Sequence, residues 1–396
     1  MQINELADRP SAGGPSASAT DGPQLKIAIQ VADLDHSRID GTRVYILNLL
    51  KHFGKLDVDS EFLLYHQNDF NPELAPPRFS NYKIIQKSFP FLWTQIRFAY
   101  EVWKNNADVL WMPMMALPLI RRKKMKTVIT VHDLGFKIFP EYFVGRDLRK
   151  LNFFADYSIA NADKIIAISE ATKKDILKLY PDVSENKIRV IYHGFSADVF
   201  SGVRNIKREN EIKIRLGIEG NEYILYSGAL QPRKNIERLI ESFEIYKKRT
   251  NSSAKLVLAG EKAWLWEEIE KKAQNSPYSG DIIMPGKLKF CDIGHLFRGA
   301  GVFVYPSLYE GFGITVLEAF AAGVPLIVAA NSSLPEVGGD AALYFKATDV
   351  GELSLQIERV LNDEKLRAEL VAKGREQIKK FSWEKCAQET LEYLRA

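Results

Sequence analysis

A repeated unit of a short apolar run, a loop and a stretch with helical spacing constrains the fold of this chain more than any other feature. The first apolar run is KIAIQVA, and VYILNLLKHF follows it with apolar residues three and four positions apart. The later runs in the first half are EFLLYHQ, DVLWMPM, TVITVHDL, KIIAISE and KIRVIYHG. Short buried strands that alternate with helices predict a parallel sheet covered on both faces.

The alternation is interrupted once, where the apolar density falls in SGVRNIKRENEIKIRLGIEGN. A second series then follows with the runs EYILYSG, KLVLAG, DIIMPG, VFVYPS, PLIVAA and ALYF. We therefore predict an α/β protein with two tandem Rossmann-like, doubly wound domains that face a cleft, residues 25–200 and residues 201–381. Ligands of such sheets bind at the carboxyl ends of the strands. The last residues, 382–396, show helical spacing, and we expect this helix to pack back on the first domain.

The termini, cysteines and charge exclude several classes of protein. Residues 1–24 are expected to form a flexible tail, because they contain SAGGPSASATDGP and lack the apolar segment of a signal peptide. No run of about 18 uncharged apolar residues is present, so we predict no spanning helix. Cys291 and Cys386 lack CxxC spacing, which favours a reducing cytoplasm over a disulfide scaffold or zinc ribbon. A net charge of +4 is too small for an obligate nucleic-acid-binding protein.

One basic run, Arg121 to Lys124 with Lys126 nearby, precedes TVITV. It is either a solvated loop or a contact with anionic lipid or a phosphate-bearing acceptor, because basic clusters attract acidic surfaces. The second interpretation predicts a cytoplasmic protein with a peripheral contact on the inner face of an acidic membrane. A nucleic-acid-binding role would depend on this run alone.

The densest group of candidate functional residues follows the apolar run VFV. Gly311 and Gly313 let the backbone approach a ligand, and a helix that begins near Ile314 offers amides to phosphate. We expect Glu310 in the loop and Glu318 in the helix to frame the same pocket. Because carboxylates repel phosphate, we expect both to accept hydrogen bonds from sugar and ribose hydroxyls. The alternatives are a helix-capping carboxylate at Glu310 and a solvated one at Glu318.

Three further sites lie at expected strand ends. Arg233 and Lys234 occur between a strand and a helix, where adjacent cations oppose the helix dipole; they are either an exposed loop pair or the site of a diphosphate. His132 ends TVITV and is either structural or a sugar contact. Gly41 is either a turn glycine or a position where a helix N-terminus approaches pyrophosphate.

Glu310 and Glu318, separated by seven residues and followed by AFAAGVPLIVAANSSLPEVGGDAALYF, resemble the paired-glutamate signature of the retaining glycosyltransferase family four. YSGALQPRKNIERLIESF resembles the donor-phosphate segment of that family. IIAISEATKKDILKLY and VITVHDLGFKIFPEYF resemble two segments of its first domain, so the resemblance covers nearly all of the chain after the tail. It implies the GT-B fold.

The resemblance also implies residue roles. Arg233 and Lys234 bind the donor pyrophosphate, Glu310 binds sugar hydroxyls, and His132 contacts the sugar from the opposite domain, while Glu318 holds the ribose. The other expected nucleotide contacts are Gly41, Gly311, Phe312, Gly313, Ile314 and Thr315. Many members carry another arginine where this chain has Ala229, and many have two glycines near Gly41.

The resemblance favours front-face transfer, in which the leaving phosphate oxygen takes the acceptor proton. PRKNIERLIESF, AGEKAWLWEEI and SSLPEVGGDAALYF look most like the mannosyl and rhamnosyl branch, which implies GDP-mannose as donor and a hydroxyl of a glycan or glycolipid as acceptor. No GxGxxG opens the first domain, and no P-loop, HExxH or DxD motif is present, so we expect neither a cofactor nor a metal. The alternatives are a UDP-hexose donor and an inactive nucleotide-sensing or scaffold relative.

Overall fold

The computed structural model describes residues 24–143, 145–201 and 205–396, and the predicted tail, apart from Gln24, lies outside them. The first domain contains seven parallel strands, in the order β3-β2-β1-β4-β5-β6-β7 across one sheet. Their bounds are β1 Lys26–Gln30, β2 Glu61–His66, β3 Tyr82–Gln86, β4 Val109–Met112, β5 Lys126–Val131, β6 Lys164–Ala167 and β7 Ile188–Val190. The helices between them are α1 Gly41–Leu56, α2 Ala99–Lys104, α3 Gly135–Ile138, α4 Gly145–Asn161 and α5 Glu170–Leu179.

The second domain contains a six-stranded parallel sheet in the order β10-β9-β8-β11-β12-β13. Its strands are β8 Tyr223–Ser227, β9 Lys255–Ala259, β10 Ile282–Gly286, β11 Val302–Tyr305, β12 Leu326–Ala329 and β13 Leu343–Phe345. The helices that follow the first domain are α6 Ala197–Phe200, α7 Ile206–Arg215, α8 Ile236–Thr250, α9 Glu267–Gln274, α10 Phe290–Arg298, α11 Ile314–Ala322, α12 Leu334–Gly338, α13 Val350–Asn362, α14 Glu364–Gln377 and α15 Trp383–Arg395. The predicted class, two doubly wound α/β domains, is confirmed.

The elements that the sequence did not predict include β3 and α7. β3 was not predicted, because it lies at the edge of the sheet and three of its five residues are exposed, so it carries no continuous apolar run. α7 forms within SGVRNIKRENEIKIRLGIEGN, the charged stretch in which the sequence places the domain boundary. The Asn205 side chain caps this helix, and Arg208 and Arg215 both form ion pairs with Asp292 of α10. The buried Ile212 and these ion pairs together therefore hold a helix that has few apolar residues.

The chain crosses between the domains twice. α6 packs on α10 and α11, and Phe200 is buried in the core of the second domain, so the first crossing precedes residue 197 rather than following residue 200. Phe381 still belongs to the second core, whereas Trp383 belongs to the first. α15 then packs against α1 on one face of the first sheet.

Candidate functional site

A buried ion pair occupies the carboxyl edge of the second sheet. The Lys234 ammonium lies 2.6 Å from Glu310 Oε1 and donates a second hydrogen bond, 2.9 Å long, to the Tyr305 hydroxyl. Arg233 lies 4.0 Å from Glu310 Oε2 and donates to the Tyr309 carbonyl. Burial would raise the pKa of Glu310, but the charges of Lys234 and Arg233 outweigh it and hold the pKa below the ordinary value. Glu310 is therefore an ionised carboxylate.

The turn that carries the two cations is fixed by Asn235. This residue adopts a left-handed conformation, with φ of 59°, between the short 3₁₀ turn Pro232–Lys234 and the start of α8. Its side-chain amide donates to the Pro306 carbonyl at 3.0 Å and to the Ala347 carbonyl at 2.8 Å. The turn is consequently tied to the loop after β11, and the exposed-pair interpretation of Arg233 and Lys234 is wrong because both side chains are buried or nearly so.

The loop before α11 contacts the first domain closely. A Cβ on Gly311 would lie 1.9 Å from the His132 carbonyl oxygen, so only glycine fits there. Gly313 precedes α11 with φ of 96°, and no side chain among the described residues caps this helix. The amides of Ile314 and Thr315 are therefore left for a ligand, whereas the Val316 amide donates to the Gly313 carbonyl. Thr315 is the second residue of α11 and is half-buried. Phe312 is a core residue whose ring lies 5.1 Å from that of His193.

Gly41 faces this loop across the cleft. It is the first residue of α1, and its position for a Cβ lies 3.7 Å from the Ile314 side chain, which is an ordinary contact. The Asp40 side chain already caps α1 by accepting from the Arg43 amide at 3.2 Å. These features are typical of a turn glycine at a capped helix.

His132 lies on the first-domain side of the cleft. Its Nε2 is 2.9 Å from the Pro113 carbonyl, so this nitrogen donates and Nδ1 is left as an acceptor in the neutral ring. Burial lowers the pKa of His132, which favours the neutral form. The adjacent Asp133 orients the loop by accepting from the Gly135 amide at 2.8 Å.

Glu318 lies apart from the Lys234–Glu310 pair. Burial raises the pKa of Glu318 to about 7. Within residues 24–143, 145–201 and 205–396, no side chain or backbone group bonds to it or pairs with it. An unpaired carboxyl in apolar surroundings is a group that a ligand hydroxyl can satisfy.

Several contacts that hold the two domains together were missed by sequence reasoning. The Ser169 hydroxyl donates to the Gly311 carbonyl at 2.7 Å, and the Tyr309 hydroxyl donates to Asp175 at 2.7 Å. Glu336 of α12 accepts from the Glu170 amide at 2.7 Å, in the first turn of α5. The only sequence signal for Glu336 was its place in the family-like segment SSLPEVGGDAALYF.

A cavity of about 780 Å³ opens beside these contacts between the domains. Its walls include Phe139, Lys174, Tyr309, Ser332 and Glu336, and none of the site residues predicted from sequence. The described part of the chain contains no group of three or more His, Cys, Asp or Glu side chains placed to hold a metal ion.

Comparison with known proteins finds glycosyltransferase families for both domains. Residues 39–199 match the family model described as Glycosyltransferase Family 4, and residues 207–377 match that described as Glycosyl transferases group 1. The O-antigen chain mannosyltransferase B of Escherichia coli is 32% identical over 270 residues, which cover 67% of this chain and 69% of that protein. The serotype-specific mannosyltransferase WbdA of Escherichia coli is 30% identical over 272 residues, or 67% of this chain and 33% of that protein.

Among solved structures, the Anabaena protein HepE in complex with UDP and glucose superposes with a TM-score of 0.72 at 16% identity, covering 94% of this chain and 100% of that one. Fold and matches together define a glycosyltransferase of the GT-B class. The chain belongs to glycosyltransferase family four, in its mannosyltransferase-like branch.

Proposed function

We propose that this enzyme transfers mannose from GDP-mannose, with retention of configuration, to a hydroxyl of a glycan or glycolipid acceptor. The observation that carries the proposal is the buried cluster of Lys234, Arg233 and Glu310, which adjoins Gly311, the glycine that contacts the His132 carbonyl across the cleft. Two similar proteins are named as mannosyltransferases, which supports mannose as the sugar. The donor diphosphate is a substrate, and we propose that no cofactor or metal takes part.

The cluster suits charge stabilisation at a diphosphate. Lys234 and Arg233 already face an anion, Glu310, so a pyrophosphate that enters beside them finds two cations held in place. Negative charge grows on the leaving diphosphate as the glycosidic bond breaks, and preorganised cations stabilise that charge in the transition state. A pyrophosphate that draws Lys234 toward itself frees Glu310 to accept from sugar hydroxyls.

The remaining residues orient the donor and acceptor. Neutral His132 offers Nδ1 to a sugar hydroxyl, and Glu318 accepts from the ribose. In the front-face route, the acceptor hydroxyl attacks the anomeric carbon from the side that the diphosphate leaves, and the leaving phosphate oxygen takes its proton. No side chain then has to act as a covalent nucleophile.

A UDP-hexose is the second candidate donor. Its support is the solved structure of HepE in complex with UDP and glucose, which shares this fold. An inactive nucleotide-sensing or scaffold role is less well supported, because the buried cations, both glutamates and His132 are all present. We also propose a cytoplasmic location with a peripheral contact on an acidic membrane.

Thermal melting with GDP, UDP, dTDP, ADP and their sugar conjugates tests the donor. A ligand at 100 times its Kd adds about 2.7 kcal/mol to the stability of the native protein. We expect GDP compounds to raise the Tm of the wild-type enzyme and to have no such effect on Lys234→Ala, whereas Lys248→Ala, an exposed control on α8, keeps the shift. A shift with UDP compounds alone would overturn the donor, and full transfer by Lys234→Ala at saturating donor would overturn the role of Lys234.

A further inference from the structure

An exposed apolar face runs along one helix of the first domain. A π-helical turn, Thr94–Phe98, continues directly into α2. Ile96, Tyr100 and Trp103 are four and three residues apart, so they share one side of this helix, and they are 42%, 55% and 58% exposed. Phe98 and Val102 already supply the buried side. Phe98 and Val102, rather than the three exposed side chains, thus pack this helix onto the domain.

The loop before β5 extends this face. The Leu119 amide donates to the Gln95 side chain at 2.9 Å, which ties the loop to the helix. Ile120 is 72% exposed, and it lines a groove of about 340 Å³ together with Trp103 and residues 121–124. The apolar side chains and the basic run therefore form one continuous surface.

The basic run divides into one structural residue and three cations without an ion pair to any described residue, of which Lys123 and Lys124 are exposed and Arg122 is half-buried. Arg121 donates to the Tyr157 hydroxyl at 2.7 Å and to the Asn161 carbonyl at 2.9 Å, so it is held by α4. Arg122, Lys123 and Lys124 form no ion pair in the described part of the chain, and Arg122 Nη1 is buried without a hydrogen-bond partner. Three cations beside protruding apolar side chains are left without anions.

We propose that this surface docks on an anionic lipid bilayer. We name it the basic–aromatic face and define it by seven residues: Ile96, Tyr100, Trp103, Ile120, Arg122, Lys123 and Lys124. Amphipathic Tyr and Trp rings favour the headgroup level of a bilayer, and an apolar tip such as Ile120 inserts among the acyl chains. The exposed Lys123 and Lys124 would contact lipid phosphates, and the half-buried Arg122 adds its charge beside them. A protein partner fits less well, because lysine is depleted at protein–protein interfaces.

The basic–aromatic face leaves the catalytic cleft open. α2 precedes β4 and the basic run precedes β5, so Trp103 and Lys124 lie toward the amino ends of these strands. His132 follows β5 at the opposite, carboxyl edge. The inference rests on the proposed function only for its purpose, which is to hold the enzyme beside a lipid-linked acceptor. The described helices include none that is long and apolar enough to cross a bilayer.

Vesicle flotation of the full chain tests the proposal. The probes are vesicles of phosphatidylcholine alone and of phosphatidylcholine with one third phosphatidylglycerol. We expect binding to the anionic vesicles that high salt reverses, and much weaker binding to neutral ones. Each basic side chain near an anionic surface contributes about fivefold in affinity. The triple variant Arg122→Gln/Lys123→Gln/Lys124→Gln should therefore bind roughly 100-fold more weakly.

A second variant, Trp103→Ser/Ile120→Ser, removes apolar contacts and keeps every charge, and it should also lose binding. Matched controls on the second domain are Lys248→Gln/Lys271→Gln and Leu355→Ser, all exposed positions, which should bind as the wild type does. Equal flotation of wild type and both face variants would overturn the proposal. So would a shift from dimer to monomer in the face variants without any vesicle binding by the wild type, because that result assigns the surface to a second copy of the chain.

The same preparations separate this inference from the proposed function. Melting shifts with sugar nucleotides and transfer to a soluble acceptor should be unchanged in both face variants. If vesicle binding fails while donor binding persists, only the docking surface is wrong. If no preparation binds or transfers any sugar while the wild type still floats, the proposed function is wrong and the surface stands.

Discussion

Removal of Lys234 probes the ion pair on which the proposed donor site depends. The ammonium lies 2.6 Å from Glu310 Oε1, and both side chains are buried. In Lys234→Met, the carboxylate keeps Arg233, at 4.0 Å, as a charged neighbour. Breaking one partner of a buried pair costs about 3–5 kcal/mol, because the other charge stays buried without full compensation.

The double variant Lys234→Met/Glu310→Gln separates this cost from ordinary loss of packing. At roughly 2–4 °C per kcal/mol for a domain of this size, the single variant should lower the Tm of the second domain by about 10 °C. The double variant removes both charges of the pair but leaves Arg233 without its anion, so it should recover only part of that loss. Thermal unfolding followed by circular dichroism measures the Tm of both variants, with Lys248→Met as an exposed control on the same domain.

The Lys234–Glu310 pair also determines how the stability of the protein changes with pH. Burial would raise the pKa of Glu310, but Lys234 and Arg233 hold it below the ordinary 4.5. The stabilisation from the pair is therefore complete above about pH 4.5 and is lost as the pH falls through the lower pKa of the folded state. A Lys234→Met protein as stable as the wild type, or a double variant as unstable as the single one, would refute this reasoning.

Three further predictions concern the cleft. Because burial raises the pKa of Glu318 to about 7, the wild type should lose stability relative to Glu318→Gln as the pH rises from 4.5 to about 7. Over the upper part of that range, its affinity for nucleotide, measured by calorimetry, should increase. A flat profile of both stability and affinity would contradict the role of this carboxyl. Gly311→Ala places a Cβ 1.9 Å from the His132 carbonyl oxygen and should part the domains. Sugar transfer should fall at least about tenfold, because a displacement of one ångström can cost 100-fold in rate. The control Gly280→Ala, with no atom near its Cβ, should leave transfer unchanged. Glu336→Gln weakens a contact with the α5 N-terminus worth about 0.3–1 kcal/mol. Small-angle scattering should therefore show a larger radius of gyration for this variant than for the control Glu352→Gln. Equal radii would contradict a role of Glu336 in holding the domains together.

The strands were predictable where they are buried on both faces, because such strands read as apolar runs. β3 is the exception, since an edge strand with three exposed residues has no such run. α7 was missed for a related reason. Apart from the buried Ile212, the side chains that hold it on the domain are Arg208 and Arg215, whose partner Asp292 lies some 80 residues away in sequence. Local periodicity carries no information about pairs at that separation.

In the candidate site too, local sequence indicates some features, whereas others depend on residues far apart in the chain. The two adjacent cations at a helix start predicted a bound diphosphate near Arg233 and Lys234. The structure shows the Glu310 carboxylate beside both cations, and the diphosphate stays a prediction. The partners of Glu336 and Tyr309 were not predictable, because they depend on how the two domains face each other. Gly311 illustrates the difference: its place in a turn was evident, but its contact with the His132 carbonyl exists only across the cleft.

A transfer assay with GDP-mannose tests the central claim most directly. The enzyme is incubated with GDP-mannose or with UDP-glucose and a glycan acceptor, released nucleotide is quantified, and the anomeric configuration of the product is read by NMR. We predict GDP release, a mannosylated product with the configuration of the donor, and loss of both in Glu310→Gln and Lys234→Met. Consumption of UDP-glucose alone, or a product of inverted configuration, would contradict the proposed donor or mechanism.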